Sequence, residues 1–153
     1  MPLPTTRSDT HSTSHLIFRT VGTVIAGLIT WIFIATLLNL ALRALWPHYH
    51  EAEIAFNFTF AMKLARLVLG AISSLGAGFV AAWIDKGRTR AAVFTGIILL
   101  CLFIPGHYRI WDKFPVWYHL TFLVSLLPLT MLGGALNRRN ARSLSRTASG
   151  ASW

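Results

Sequence analysis

Charge is scarce in this chain, and negative charge scarcest: 12% of the 153 residues are charged, with 5 Asp and Glu against 14 Lys and Arg. Ordinary soluble domains carry about 25% charged and about 45–50% apolar residues; here 54% is apolar. Four stretches lack any charged side chain: residues 21–42, 67–84, 91–108 and 114–137. They take up 82 residues, so every charge stands among the other 71, where charge density is ordinary. A membrane span needs about 20 mostly apolar residues to cross about 30 Å of hydrocarbon at about 1.5 Å per residue. A water-soluble globular enzyme is thereby excluded. Cysteine is nearly absent as well. Cys101 is the only one, which excludes an internal disulfide, a CxxC motif and a zinc knuckle. No titratable group lies within a helical turn of it to activate it as a nucleophile. The four stretches also contain no acidic residue, which argues against a proton-coupled transporter with an intramembrane carboxylate.

What remains predicts an all-α fold, an integral membrane bundle of four transmembrane helices over about 21–42, 60–84, 90–105 and 115–137. Residues 1–20, rich in Ser, Thr and Pro, are expected to form a disordered tail. The apolar run after them is too long for a signal-peptide core of about 7–15 residues. Pro47 breaks the chain after the first helix. The second is expected to start well before Leu67, because Phe56, Phe60 and Leu64 recur every four residues. The polar connector 85–90 is short enough to make the second and third helices antiparallel neighbours. Pro105-Gly106 is expected to end the regular part of the third helix. Tyr108, Trp111, Phe114, Trp117 and Tyr118 read as an aromatic belt at the headgroup level. Pro115 suits a first helical turn, and Pro128 is expected to kink the fourth helix. Residues 138–153, Ser- and Arg-rich, read as a second disordered tail.

Four spans place both termini on one side. The tails and connector 85–90 hold 9 of the 14 Lys and Arg, and the opposite side holds 5. Cytoplasmic segments carry the excess, so both termini are expected in the cytoplasm and the 43–66 and 109–113 segments outside it. This orientation accounts for most of the net +9 and leaves no call for a nucleic-acid partner. Lys63 and Arg66 are expected to snorkel to lipid headgroups, and Arg138 and Arg139 to rest on anionic ones.

Two patterns carry candidate chemistry. His48, His50, Glu51 and Glu53 cluster in one segment, and imidazole and carboxylate are the usual ligands of zinc and copper. In an extended segment His48 and His50 share a face, which is the condition for a metal site there. The bland alternative is a solvated loop. Haem between helices needs two histidines at matched depth, and with His107 at the Pro105-Gly106 break only His119 falls within a span. The second pattern is structural. Gly70, Ser74 and Gly78 recur every four residues, with Ser73, Ala77 and Ala81 on the adjacent ridge. Such a face brings helix backbones close, which drives helix association in lipid. Its partner is either another helix of the chain or a second protein. No cofactor is implied, and no catalytic constellation stands out.

The segment from Phe114 to Leu120, with Leu127-Pro128 and Leu132-Gly133-Gly134, resembles the last helix of small uncharacterised four-helix inner-membrane proteins of Gram-negative bacteria. The resemblance implies an inner-membrane location and brings no activity with it. The expectation is therefore a non-enzymatic structural or accessory membrane component, partnered by lipid and by a second copy or a larger membrane protein. The alternative is an extracytoplasmic metal-binding or small-solute-handling protein using His48 to Glu53.

Overall fold

The structure, a computed structural model, describes the backbone of residues 9–150 and the side chains of residues 19–140. Five α-helices follow in order: α1 (Asp9–Leu45), α2 (Tyr49–Ala55), α3 (Phe60–Ile84), α4 (Thr89–Arg109) and α5 (Val116–Gly150), with a 3-10 turn, Trp111–Lys113, before α5. No strand occurs among the described residues. Four segments are long and apolar enough to cross a membrane: Arg19–Leu45, Phe60–Ile84, Thr89–Arg109 and Val116–Asn140. The shortest has 21 residues, which reach about 30 Å.

Helix extends beyond the boundaries read from the sequence in three places. α1 starts at Asp9 and α5 runs to Gly150, inside segments expected to be disordered; residues 1–8 and 151–153 lie outside the described ones. No Pro or Gly interrupts residues 9–21 or 138–149, and once a helix exists each added residue gains a hydrogen bond. α4 passes through Pro105 to Arg109. A mid-helix proline removes one intrahelical hydrogen bond, and the helices packed around it hold the rest of the turn. Pro128 likewise stays inside α5. The α3–α4 turn closes with the Gly87 N–H donating to the Ala82 carbonyl (2.8 Å) and the Lys86 N–H to that of Trp83 (3.2 Å). This is a Schellman stop, with Lys86 and Gly87 both left-handed at φ 54° and 78°.

The bundle is small inside and large outside. Ser73, Ser74, Ala77, Ala81, Ala82, Ala91, Ala92, Thr95 and Thr130 are buried, while Ile29, Phe33, Val68, Leu102 and Val124 are more than half exposed. Lipid solvates large apolar side chains as well as a core does, so close backbone approach decides what goes inside. α3 makes its most extensive contact with α5 and its next with α1. The Gly70 and Gly78 face lies against α5: a Cβ on Gly70 would meet the Phe122 ring at 2.7 Å, and one on Gly78 would fall within the Thr130 carbonyl. Gly133 reciprocates, with a Cβ there falling onto the Leu75 carbonyl. Ser74 faces α1, accepting a hydrogen bond from Trp31 Nε1 (3.2 Å). Of the two alternatives for this face, another helix of the chain or a second protein, α5 and α1 of the chain itself occupy it.

At the α3–α4 connector end, Asp85 is buried beside Arg19 (3.3 Å) and Arg90 (3.9 Å). Arg138 is exposed and donates to the Thr89 hydroxyl (3.3 Å).

Candidate functional site

At the opposite end of the bundle, α1 and α5 are joined to their neighbours by segments rich in polar and aromatic residues. His48 and Phe56 both take left-handed backbone, at φ 61° and 54°, and between them the chain folds into α2, not the extended segment that a shared face for His48 and His50 requires. α2 lies back over the bundle. Tyr49 is fully buried and joins Phe58, Met62, Phe114 and Tyr118 in one apolar cluster. Phe114 stacks on Phe58 and on Tyr118, at centroid distances of 5.6 and 4.7 Å. The aromatic belt is therefore split. Tyr108, Trp111 and Trp117 are exposed, whereas Phe114 and Tyr118 turn inward and form the floor under α2.

Glu53 sits at the centre of the polar contacts. Its carboxylate accepts from Arg43 Nε (2.7 Å), Asn39 Nδ2 (3.1 Å) and Arg66 Nη1 (3.4 Å). Arg66 also donates to the Tyr49 hydroxyl (3.3 Å), which donates in turn to Asn39 Oδ1 (3.4 Å), and its guanidinium lies 4.8 Å from the Phe58 ring centroid. α1, α2 and α3 are tied together by one carboxylate. Burial pushes the Glu53 carboxyl up, but the hydrogen bonds from Arg43 and Asn39 and the charges of Arg43 and Arg66 outweigh it, so it sits below the ordinary carboxylate value.

A second polar contact lies between α4 and α5. His107 and His119 are both buried with their Nδ1 atoms 2.8 Å apart, and His119 Nε2 lies 3.3 Å from the Trp111 carbonyl. A carbonyl oxygen can only accept, which fixes the tautomers of a neutral pair. His119 carries its proton on Nε2 and accepts at Nδ1, so His107 donates from Nδ1. His107 Nε2 is left with a lone pair and no hydrogen-bond partner among the described residues. The pair escaped sequence reading because α4 was expected to end at Pro105; a helix carried two residues further puts His107 within reach of α5.

Below α2, between α1, α3, α4 and α5, lies a cavity of about 500 Å³. Its wall is apolar at Trp31, Leu40, Leu69, Phe103 and Phe122, and polar at Asn39, Arg43, Arg66 and His107.

Compared with known proteins, the chain matches no family model, no curated protein and no solved structure.

The candidate residues named from sequence are thus distributed as follows. His48 Nδ1 pairs with Glu51 (3.0 Å) in an exposed contact on α2, while Glu53 turns away to Arg43 and Arg66. His50 is exposed. A helix sends residues i and i+2 to different faces, and among the described residues no group of three His, Cys, Asp or Glu is placed to hold a metal ion. Arg66, 31% exposed at its side chain, donates to Glu53 and Tyr49, which α2 brings to it. Lys63 is half-buried, and Arg138 and Arg139 are exposed.

Proposed function

We propose that this chain is a non-enzymatic, multi-pass accessory component of the inner membrane, with both termini in the cytoplasm. One observation carries the reading. The small-residue face of α3 is consumed inside the chain, whereas α1 leaves Ile25, Ile29, Ile32, Phe33 and Leu37 exposed at 49–67%. The bundle is complete as a packed unit, and α1 is the surface that meets lipid and a neighbouring protein.

The polar groups inside the spans support a structural role. Ser73 donates to the Leu69 carbonyl, Ser74 to that of Gly70, Thr95 to that of Ala91 and Thr130 to that of Leu127, each within 2.7–2.8 Å. Hydroxyls bonded to their own helices serve packing. The orientation rests on the Lys/Arg excess at the connector end, where Arg19, Lys86, Arg88, Arg90, Arg138 and Arg139 gather.

A photo-crosslinking side chain introduced at Ile29 or Phe33 in native membranes tests this. The reading predicts a protein adduct from α1, at twice the monomer mass for a second copy or at a larger mass for a different partner. The same probe at Ser74 gives only intrachain links. Lipid adducts alone from α1, with intermolecular adducts from Ser74, would overturn the proposal.

A further inference from the structure

The cavity beneath α2 has a composition that helix packing does not require. Packing in lipid favours small residues and close backbones, yet here the walls stand apart around about 500 Å³. That volume is within the range of about 300–1,000 Å³ typical of small-molecule sites. Two guanidiniums, Arg43 and Arg66, line it, and a single carboxylate, Glu53, serves both. The cluster carries one positive charge in excess, with Arg43 40% and Arg66 31% exposed at their side chains and so open to an anion. Arg66 Nε is buried without a hydrogen-bond partner, so its bonds to Glu53 and Tyr49 leave the guanidinium incompletely satisfied. Deeper in the cavity the wall turns to Trp31, Leu69 and Phe103, with His107 beside them. His107 is 6% exposed.

We infer that this cavity binds a monoanionic amphiphile, its acidic head held by Arg43 and Arg66 and its apolar body lying along Trp31, Leu69 and Phe103. One negative charge neutralises the cluster. Charge-assisted hydrogen bonds from two guanidiniums suit a carboxylate or a phosphodiester, and the apolar walls exclude a small hydrophilic anion as the preferred ligand. A free long-chain acid and a membrane phospholipid share this head chemistry.

Native mass spectrometry of the full chain in an uncharged detergent tests the proposal with four probes: hexadecanoate, hexadecanol, phosphatidylglycerol and phosphatidylcholine. The expected result is one equivalent of an anionic probe per chain, retained at least tenfold more tightly than its uncharged or zwitterionic counterpart. Retention of hexadecanoate alone identifies the free acid as the source, and retention of phosphatidylglycerol alone identifies the phospholipid. Arg43→Gln weakens the anionic probe about tenfold and leaves the neutral one unchanged, while Arg43→Lys keeps part of the affinity. Ala35→Trp, which fills the cavity from α1, removes the single bound equivalent. Equal retention of anionic and neutral probes by the unmodified chain overturns the proposal without recourse to any variant. So does tenfold anion selectivity that survives in both Arg43→Gln and Ala35→Trp.

Discussion

Adding one methyl group at Gly78 separates the two uses of the small-residue face on α3. In an exposed helix interior Gly→Ala gains about 1 kcal/mol of helix propensity, and Gly22, which has nothing within 4 Å of a built Cβ, supplies the reference for that gain. At Gly78 the new Cβ would fall within the Thr130 carbonyl, with the Thr130 Cα at 2.8 Å. The obstruction is backbone, so relief requires α3 and α5 to move apart, and Gly133 next to Leu75 and Phe79 separates with them. Overpacking of this kind costs about 1–3 kcal/mol, occasionally more, and separation also loosens the buried Ala77, Ala81 and Ala82 row. The propensity gain is common to both variants and cancels, so Gly78→Ala is expected to be less stable than Gly22→Ala by about 1–3 kcal/mol, measured by reversible unfolding in detergent micelles. Oligomeric mass should not change. Equal stability of the two variants would refute the α3–α5 packing argument. A change in oligomeric mass with unaltered monomer stability would return the face to intermolecular use.

Other perturbations read the two ends of the bundle. The folded-state pKa of Glu53 lies below its unfolded value near 4.5, so the ionised carboxylate favours the fold above that value and its contribution is lost as pH falls through the lower folded pKa. Glu53→Gln should therefore melt lower than the unmodified chain at pH 7, by about 1–3 kcal/mol for lost charged hydrogen bonds, and the gap should close below about pH 4.5; a gap independent of pH would contradict the assignment. His119→Ala removes a fully buried ring stacked 4.7 Å from Trp111 and the acceptor for His107, and should destabilise by about 3 kcal/mol. Tyr108→Ala, at 80% exposed, should change little in the same unfolding experiment. Asp85→Asn removes the carboxylate that Arg19 and Arg90 share among the described residues. Breaking a buried pair costs about 3–5 kcal/mol, but Arg19 is 33% and Arg90 55% exposed, so solvent screening reduces the expected loss to about 1–2 kcal/mol. Recovery in the Arg19→Gln, Asp85→Asn double variant, measured as a thermodynamic cycle, checks that the two residues act together.

The four long helices were legible because each corresponds to a run without charge, a signal that needs no tertiary information. What the sequence hid depends on chain reversals. Left-handed backbone at His48 and Phe56, neither a glycine, turns a polar segment into a helix folded back on the bundle, and no periodicity announces it. That reversal decides the direction of Arg66, whose position on α3 alone suggests an outward, lipid-facing role. It also disperses the His48 to Glu53 group, since helical geometry separates residues that an extended strand would align. Pro105 misled in a simpler way. A proline marks a helix end in water more reliably than in a packed bundle, and the extra turn to Arg109 brings His107 to His119. The cavity was illegible for the same reason, as its walls come from four helices whose mutual placement no single segment encodes.

Four helices are long and apolar enough to cross a membrane, and the orientation proposed above puts the connector end in the cytoplasm and α2 on the far side. Single cysteines placed in a Cys101→Ala background at exposed positions, Lys86→Cys in the α3–α4 connector and Asp112→Cys in the 3-10 turn, report this directly when intact spheroplasts are treated with a membrane-impermeant maleimide. Asp112→Cys should be labelled in intact spheroplasts, and Lys86→Cys only after permeabilisation. Labelling of Lys86→Cys in intact spheroplasts with Asp112→Cys protected would invert the orientation, and labelling of both without permeabilisation would contradict a crossing by α4.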